Sequence, residues 1–546
     1  MDTQRLILFV VFSFSILMLW DAWQKEQHPV PAQTAPATVT TAPIPSPALT
    51  PSAPAVTPDT AHQLDKGEKL RVRTDTLNVE IDTAGGDIRR LELLKHHDAA
   101  DKNKNFVLLA DQKPHMYVAQ SGLIGVGLPN HKSRFSAQAV DYQLADGAQE
   151  LKVTLVAPEV SGVKVEKIFT FHRDSYVVDV EYRIHNGSVA AMVPSAYYQL
   201  VRDDSAPAGD PRFVNTYTGA AIYTDKEKFQ KVGFSDIEKD KTNYQKQSND
   251  GWVAMLQHYF LSAWLPKSGQ AREFYTKKLG DKLYAAGLIL PVGTIAPGAD
   301  GQISVPLYAG PQEQEKLSKL APGLDLTVDY GWLTVIATPL FWVLSTIHKG
   351  VGNWGVAIIL LTVLIKLLFY PLSAKSYRSM AHMRVLAPKL QKLKEQFGDD
   401  RQRLHQAMME LYKTEKINPL GGCLPVVVQI PVFISLYWVL LASVEMRHAP
   451  FVLWIQDLSA ADPFYVLPVI MGLTMIIQTK LNPTPPDPIQ AKVMMVMPFA
   501  FSIFFFFFPA GLVLYWVVNN ILSIAQQWQI TRSTEQMQAA KGHGKR

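Results

Sequence analysis

Residues 354–370 read WGVAIILLTVLIKLLFY, an apolar run interrupted by one charge, Lys366. Apart from Thr362 and Lys366 a helix built from it is apolar all round, which does not suit the surface of a soluble protein. Its length meets the lower end of the ~17–25 residues that cross a hydrocarbon core. A charge inside such a span costs roughly 3 kcal/mol on insertion scales, so it faces a wet cavity or a partner. The competing reading is that the lysine stem carries its ammonium out to the nearby helix end at Tyr370. Thr362 lies one turn earlier on the same face and favours the cavity.

Working outward from this span, further apolar runs occupy Leu424–Val444, Phe464–Gln478, Val493–Phe508 and Gly511–Ile530. With an N-terminal run from Leu6 to Trp20 they predict six membrane spans. The N-terminal run ends in Trp20-Asp21-Ala22-Trp23 and carries no small-residue cleavage site, so it reads as an uncleaved signal anchor over 1–27. Loop charges set the orientation. Loop 371–419 carries ten Lys/Arg against five Asp/Glu, and the tail 531–546 is also basic, whereas Glu445–Pro463 has one arginine against three acids. Positive loops stay in the cytoplasm, which predicts both termini inside.

The N-terminal half is of another kind. Residues 28–65 form a tether with nine prolines between His28 and His62, too poor in large apolar residues to build a core. From 66 to 326 the pattern changes to period two, as in Tyr176-Val178-Val180-Tyr182-Ile184, with turns at Gly85-Gly86-Asp87 and Asp146-Gly147. This predicts one large antiparallel β-sandwich. Gly122, Gly125 and Gly127 are assigned to a loop of it, and the triplet Asn186-Gly187-Ser188 to a chance glycosylation match. Residues 327–350, with Pro339 in their middle, suit an amphipathic helix lying in the membrane interface; a span kinked at Pro339 is the alternative. The mean hydropathy of +0.03 is thus an average over two unlike parts.

The chain has no phosphate-binding loop, no HExxH and no dinucleotide fingerprint. Cys423 is alone, which excludes an intrachain disulfide and a cysteine-based zinc cluster. A net charge of +5 gives no footprint for specific nucleic acid, and no cofactor or metal is expected. The candidate site is polar residues within spans: Lys366, Thr362, Gln429, and the four-spaced stripe Tyr515, Asn519 and Ser523. Interhelical hydrogen bonding is the plainer use of such residues. Within loop 372–419, Met383, Leu386, Leu390, Leu393 and Phe397, then Leu404, Met408 and Leu411, predict a helical hairpin turning at Gly398-Asp399-Asp400. Met380, Met383, Met408 and Met409 would fill its seam or offer an adaptable apolar surface. The five phenylalanines 504–508 are assigned to lipid contact and bundle packing.

The strings Asn353-Trp354-Gly355, Tyr370-Pro371-Leu372, Asn418-Pro419-Leu420-Gly421-Gly422-Cys423-Leu424-Pro425, Gln429-Ile430-Pro431 and Phe508-Pro509-Ala510-Gly511-Leu512-Val513-Leu514-Tyr515 resemble the YidC membrane protein insertases. The resemblance runs through the whole chain. It implies six transmembrane α-helices, namely an anchor plus a five-helix core (351–530) with a cytoplasmic hairpin, and a large periplasmic β-supersandwich. It also implies a hydrophilic groove open to the cytoplasm and lipid, with Lys366 at the position of the family's groove cation and Thr362, Gln429, Tyr515 and Asn519 lining it. Implied partners are nascent membrane proteins, the ribosome, the Sec translocon (SecYEG and SecDF) and the bilayer; the implied location is the bacterial inner membrane. Trp516 stands where some members carry a second tyrosine. The alternatives from other classes are a secondary transporter using Lys366 as a counter-ion, and a structural scaffold of a secretion complex.

Overall fold

The computed structural model describes residues 64–98, 101–112, 115–207, 216–397, 400–415, 424–482 and 488–543. The anchor at 1–27 and the tether up to residue 63 lie outside them. The described residues form two compact units that divide between Val328 and Asp329.

The first unit is built from a ten-stranded and a nine-stranded sheet, with two short helices, α1 (Phe234–Glu238) and α2 (Gln314–Leu320). Period two sets its register. Strand Val177–Asn186 buries Val178, Val180, Tyr182 and Ile184 and turns the intervening residues outward. It lies between Val163–His172 and Asp300–Pro311, both antiparallel, with Val178 opposite Phe171 and Leu307. Burial of such a face contributes about 25 cal/mol per Å² of apolar surface.

The interior is not wholly apolar. Lys167 lies opposite Tyr182, so it points inward with it. Its ammonium donates to Gly85 O (3.2 Å) and Ser121 O (3.3 Å). Nearby, Asp87 accepts from Gln120 Nε2 (2.8 Å), Gln120 from Gln199 Nε2 (2.9 Å), and Gln199 from the Tyr275 hydroxyl (2.9 Å). This hydrogen-bonded line crosses the ten-stranded sheet.

One loop assignment changes. Gly122 belongs to strand His115–Ile124, where a side chain would collide with the Tyr197 hydroxyl; strand residues buried on both faces give no period-two signal. Asn186 is fully buried and donates to Ala190 O (2.8 Å) and Ile295 O (3.0 Å). The triplet is therefore a structural turn.

The second unit is helical: α3 (Thr334–Val351), α4 (Trp354–Leu368), α5 (Tyr370–Phe397), α6 (Arg401–Thr414), α7 (Leu424–Ala442), α8 (Val466–Leu481), α9 (Pro488–Phe504) and α10 (Ala510–His543). Pro339 does not break α3, which runs on through it. Asn353 caps α4 by accepting from Val356 N (3.0 Å). The expected hairpin is present as α5 and α6. Asp400 caps α6 by accepting from the amides of Gln402 and Arg403, and Lys389 bridges to Glu415 (2.6 Å). The segment after Thr531, read as a tail, continues α10 to His543.

Residue pairs fix the helix directions. Asn520–Thr474 and Gln527–Leu481 share one sequence offset, so α8 and α10 run parallel. Lys366–Ser523 and the approach of Gly511 to Ile358 make α4 parallel to α10. Phe433–Tyr515 and Tyr437–Phe508 make α7 antiparallel to it. Ser502–Pro468 and Phe506–Tyr465 make α9 antiparallel to α8. In chain order α4, α7, α8, α9 and α10 therefore alternate in direction.

Among the described residues no single helix is long and apolar enough to cross a membrane, but α4 and residues 370–383 of α5 together are, bent by 67°. The helices are apolar on the outside. Leu360, Leu364, Leu367 and Leu368 of α4 are exposed, as are Val469, Leu473 and Ile477 of α8 and Val496, Phe499 and Ile503 of α9.

Candidate functional site

The interior of the helical unit inverts that surface. Thr362, Lys366, Ser373, Ser376, Ser435, Thr474, Asn520, Ser523, Gln526 and Gln527 are all buried. Lys366, in the last turn of α4, is 8% exposed. Its ammonium donates to the Ser523 hydroxyl of α10 at 2.7 Å. Ser523 donates in turn to Asn519 O (2.7 Å), and the side chain of Tyr377 on α5 lies beside it. Among the described residues Lys366 makes no salt bridge. Position in the sequence leaves open whether its stem carries the charge outward; the contact to α10 turns it inward.

The other expected site residues are placed less uniformly. Thr362 is buried on the expected face, but its hydroxyl donates to Ile358 O of its own helix (2.7 Å). Tyr515 is buried, with its ring 5.9 Å from that of Phe433 on α7. Gln429 lies one turn before Phe433. Because α7 and α10 are antiparallel, it falls level with Asn519, one turn after Tyr515. Asn519 itself is half-buried and contributes its backbone carbonyl, whereas the buried amide is its neighbour Asn520, which donates to Thr474 on α8 (3.2 Å). Trp516 packs between Phe433 and Phe505. The phenylalanine run divides: Phe505 is buried, while Phe504 and Phe507 face outward.

Sequence reading did not assign Ser523 as the partner of Lys366, nor Gln526. The signal was the spacing Tyr515, Asn519, Ser523, which a helix places on one face. Gln526 is one turn further along that face, buried, and its amide nitrogen has no hydrogen-bond partner among the described residues. The neighbouring Gln527 leaves a buried amide oxygen likewise without a partner among the described residues. Among the described residues no three His, Cys, Asp or Glu side chains are grouped to hold a metal.

Soluble proteins rarely expose contiguous apolar area on this scale. An apolar exterior around hydroxyls, amides and one ammonium, joined in one chain to a soluble-type β-sandwich, defines an integral membrane protein with a large extramembrane domain. The family models agree. Residues 69–343 match the YidC periplasmic domain, and residues 346–538 match the 60Kd inner membrane protein family. The chain is 62% identical to the membrane protein insertase YidC of Methylobacillus flagellatus, with 99% of each chain covered. It is 57% identical to that of Nitrosospira multiformis, with 98% of each covered. A solved structure of an active YidC insertase with its first transmembrane domain resolved is 18% identical, with 85% of this chain and 95% of that one covered at a TM-score of 0.39. The chain belongs to the YidC family of membrane protein insertases, inner-membrane proteins with a periplasmic domain.

Proposed function

We propose that this chain inserts nascent membrane proteins into the inner membrane through a polar groove lined by Lys366, Thr362, Gln429, Tyr515 and Asn519. The observation that carries this reading is the Lys366 ammonium, buried between α4 and α10 with a hydroxyl as its partner. A charge held there offers a client's polar segment a substitute for part of its lost hydration. The hydrocarbon path that segment must cross becomes shorter. The client's apolar helix meanwhile moves into lipid along the exposed faces, driven by hydrophobic transfer. The membrane potential assists acidic segments by about 2.3 kcal/mol per charge per 100 mV. Binding and transfer to lipid supply the work, with no covalent step.

In this reading the anchor and the five alternating helices make six spans, with the groove open to the cytoplasm and both termini on that side. The β-sandwich is periplasmic and α3 lies in the interface. The basic hairpin α5–α6 and the far end of α10 face ribosomes and emerging chains. SecYEG and SecDF are the translocon partners for clients that need them. The transporter and scaffold alternatives are not favoured by the relatives.

Site-specific photocrosslinkers at 362, 366, 429 and 515 test the groove against ribosome-held nascent chains. Crosslinks from these positions, and loss of insertion with Lys366→Ala, are expected. No crosslinks together with full insertion by Lys366→Ala sinks the reading.

A further inference from the structure

We propose that Ser523 is a positioning residue for Lys366: its hydroxyl on α10 holds the ammonium inward and ties it to the elbow between α4 and α5. This rests on the groove reading above and adds a residue to it. Lys366 lies two residues before the end of α4 at Leu368, where the chain bends by 67° into α5. At such a position a lysine stem is long enough to reach past the helix end to water. Exposed leucines 364, 367 and 368 flank it on the outer face, so the helix itself offers the ammonium no polar partner there.

Ser523 supplies that partner from a distant part of the chain. A hydroxyl has one donor and two acceptor lone pairs. The donor is used on Asn519 O, which fixes the rotamer against α10 itself. One lone pair receives Lys366, and the side chain of Tyr377, two turns into α5, lies beside the same hydroxyl. Ser523 is thus buried, bonded to α4 through Lys366, and beside Tyr377 of α5. A client that engages Lys366 must do so against this contact, so the hydroxyl sets where the charge sits when the segment arrives.

The test uses the full-length protein in proteoliposomes, with a client that translocates a polar segment and one that inserts without translocating any. Ser523→Ala is expected to slow insertion of the first client about tenfold, the size expected for one charge-assisted hydrogen bond, and to leave the second unchanged. Ser523→Thr, which keeps the hydroxyl, restores the rate. The decisive arm is the double variant. If Ser523 acts through Lys366, then Ser523→Ala adds nothing in a Lys366→Met background. An additive loss, or equal slowing of both clients, shows a general packing role and overturns the proposal. A full rate for Ser523→Ala beside a slowed Lys366→Met overturns it while leaving the groove reading intact. A full rate for Lys366→Met overturns both.

Discussion

Gly355 and the ring of Phe451 are in contact with no room for a methyl group between them: a Cβ on Gly355 would overlap the ring. Asn353, two residues earlier, caps α4 with its side-chain oxygen and donates its amide to Phe451 O at 2.9 Å. The string Asn-Trp-Gly is thereby explained as a helix start that clamps the loop before α8. Gly355→Ala is expected to destabilise by about 2 kcal/mol through overpacking, seen as a lower Tm in detergent. Adding Phe451→Ala should recover part of that loss, because the space the methyl needs is then open. A double variant less stable than both singles together would show the contact is not the cause.

In the β-sandwich, burial pushes the Lys167 ammonium down to about 8 from its ordinary 10.5, with Asp87 opposing the shift. Burial likewise pushes the Asp87 carboxyl up, against the pull of Arg89 and Lys167. For a lysine lowered in the folded state, the unfolded chain binds more protons between about pH 8 and the ordinary lysine value. Stability on this account therefore rises with pH across that window. Lys167→Met should abolish this rise and cost roughly 3 kcal/mol at neutral pH, since it removes one of the two cations, with Arg89, that balance the buried Asp87 carboxylate. Lys167→Met with Asp87→Asn should be closer to the parent. Hydrogen exchange of strand Val163–His172 in the full chain reads both effects.

How much of this was legible follows from where each signal sits. Alternation gave the strands and the apolar runs gave the helices, because both are local. The helix–helix register is not local. The tie from Lys366 to a serine 157 residues away has no trace in the composition of α4. The stripe at 515, 519 and 523 found the right side of α10, but the buried amide is Asn520, which faces α8. Thr362 shares the lysine's face, yet its hydroxyl satisfies its own helix, a common use of threonine in helices. The polar line from Tyr275 to Asp87 was hidden for the opposite reason: polar residues at inward positions read as breaks in the pattern.

The loop between α7 and α8 carries a second pH-dependent contact. The Asp457 carboxylate accepts from the amides of His448 (3.1 Å) and Ser459 (2.9 Å), from the Ser459 hydroxyl (2.7 Å), and lies 2.9 Å from His448 Nδ1. Burial pushes its carboxyl up, but the bonds from His448 and Ser459 outweigh this and hold it below its ordinary value. A carboxyl depressed in the folded state stabilises above its unfolded pKa of about 3.9, and that stability is lost as pH falls through the folded value. Amide protection across 448–459 is therefore expected to hold from pH 7 to pH 5 and to fall below about pH 4. Asp457→Asn should lower protection at pH 7; unchanged protection would show that the carboxylate does not hold the loop.

The start of α8 depends on another carboxylate in the same loop. Asp462 is 1% exposed and accepts from Trp454 Nε1 (3.0 Å), Phe464 N (3.0 Å) and Leu467 N (2.8 Å). The residue before the helix, Tyr465, has φ +56°, a left-handed conformation that a tyrosine holds only when its neighbours fix it. Asp462 bonds on both sides of that residue and places a negative charge at the helix start, where the dipole favours it. Asp462→Ala strands three donors and releases the strained turn, so a loss of about 3 kcal/mol is expected. Asp462→Asn keeps an acceptor for part of the set and should cost about half as much. Leu467 and its neighbours should exchange their amide hydrogens faster in the alanine variant than in the parent. If only the Trp454 environment changed, as read by its fluorescence, with exchange at Leu467 as before, Asp462 would be anchoring the indole and not the helix.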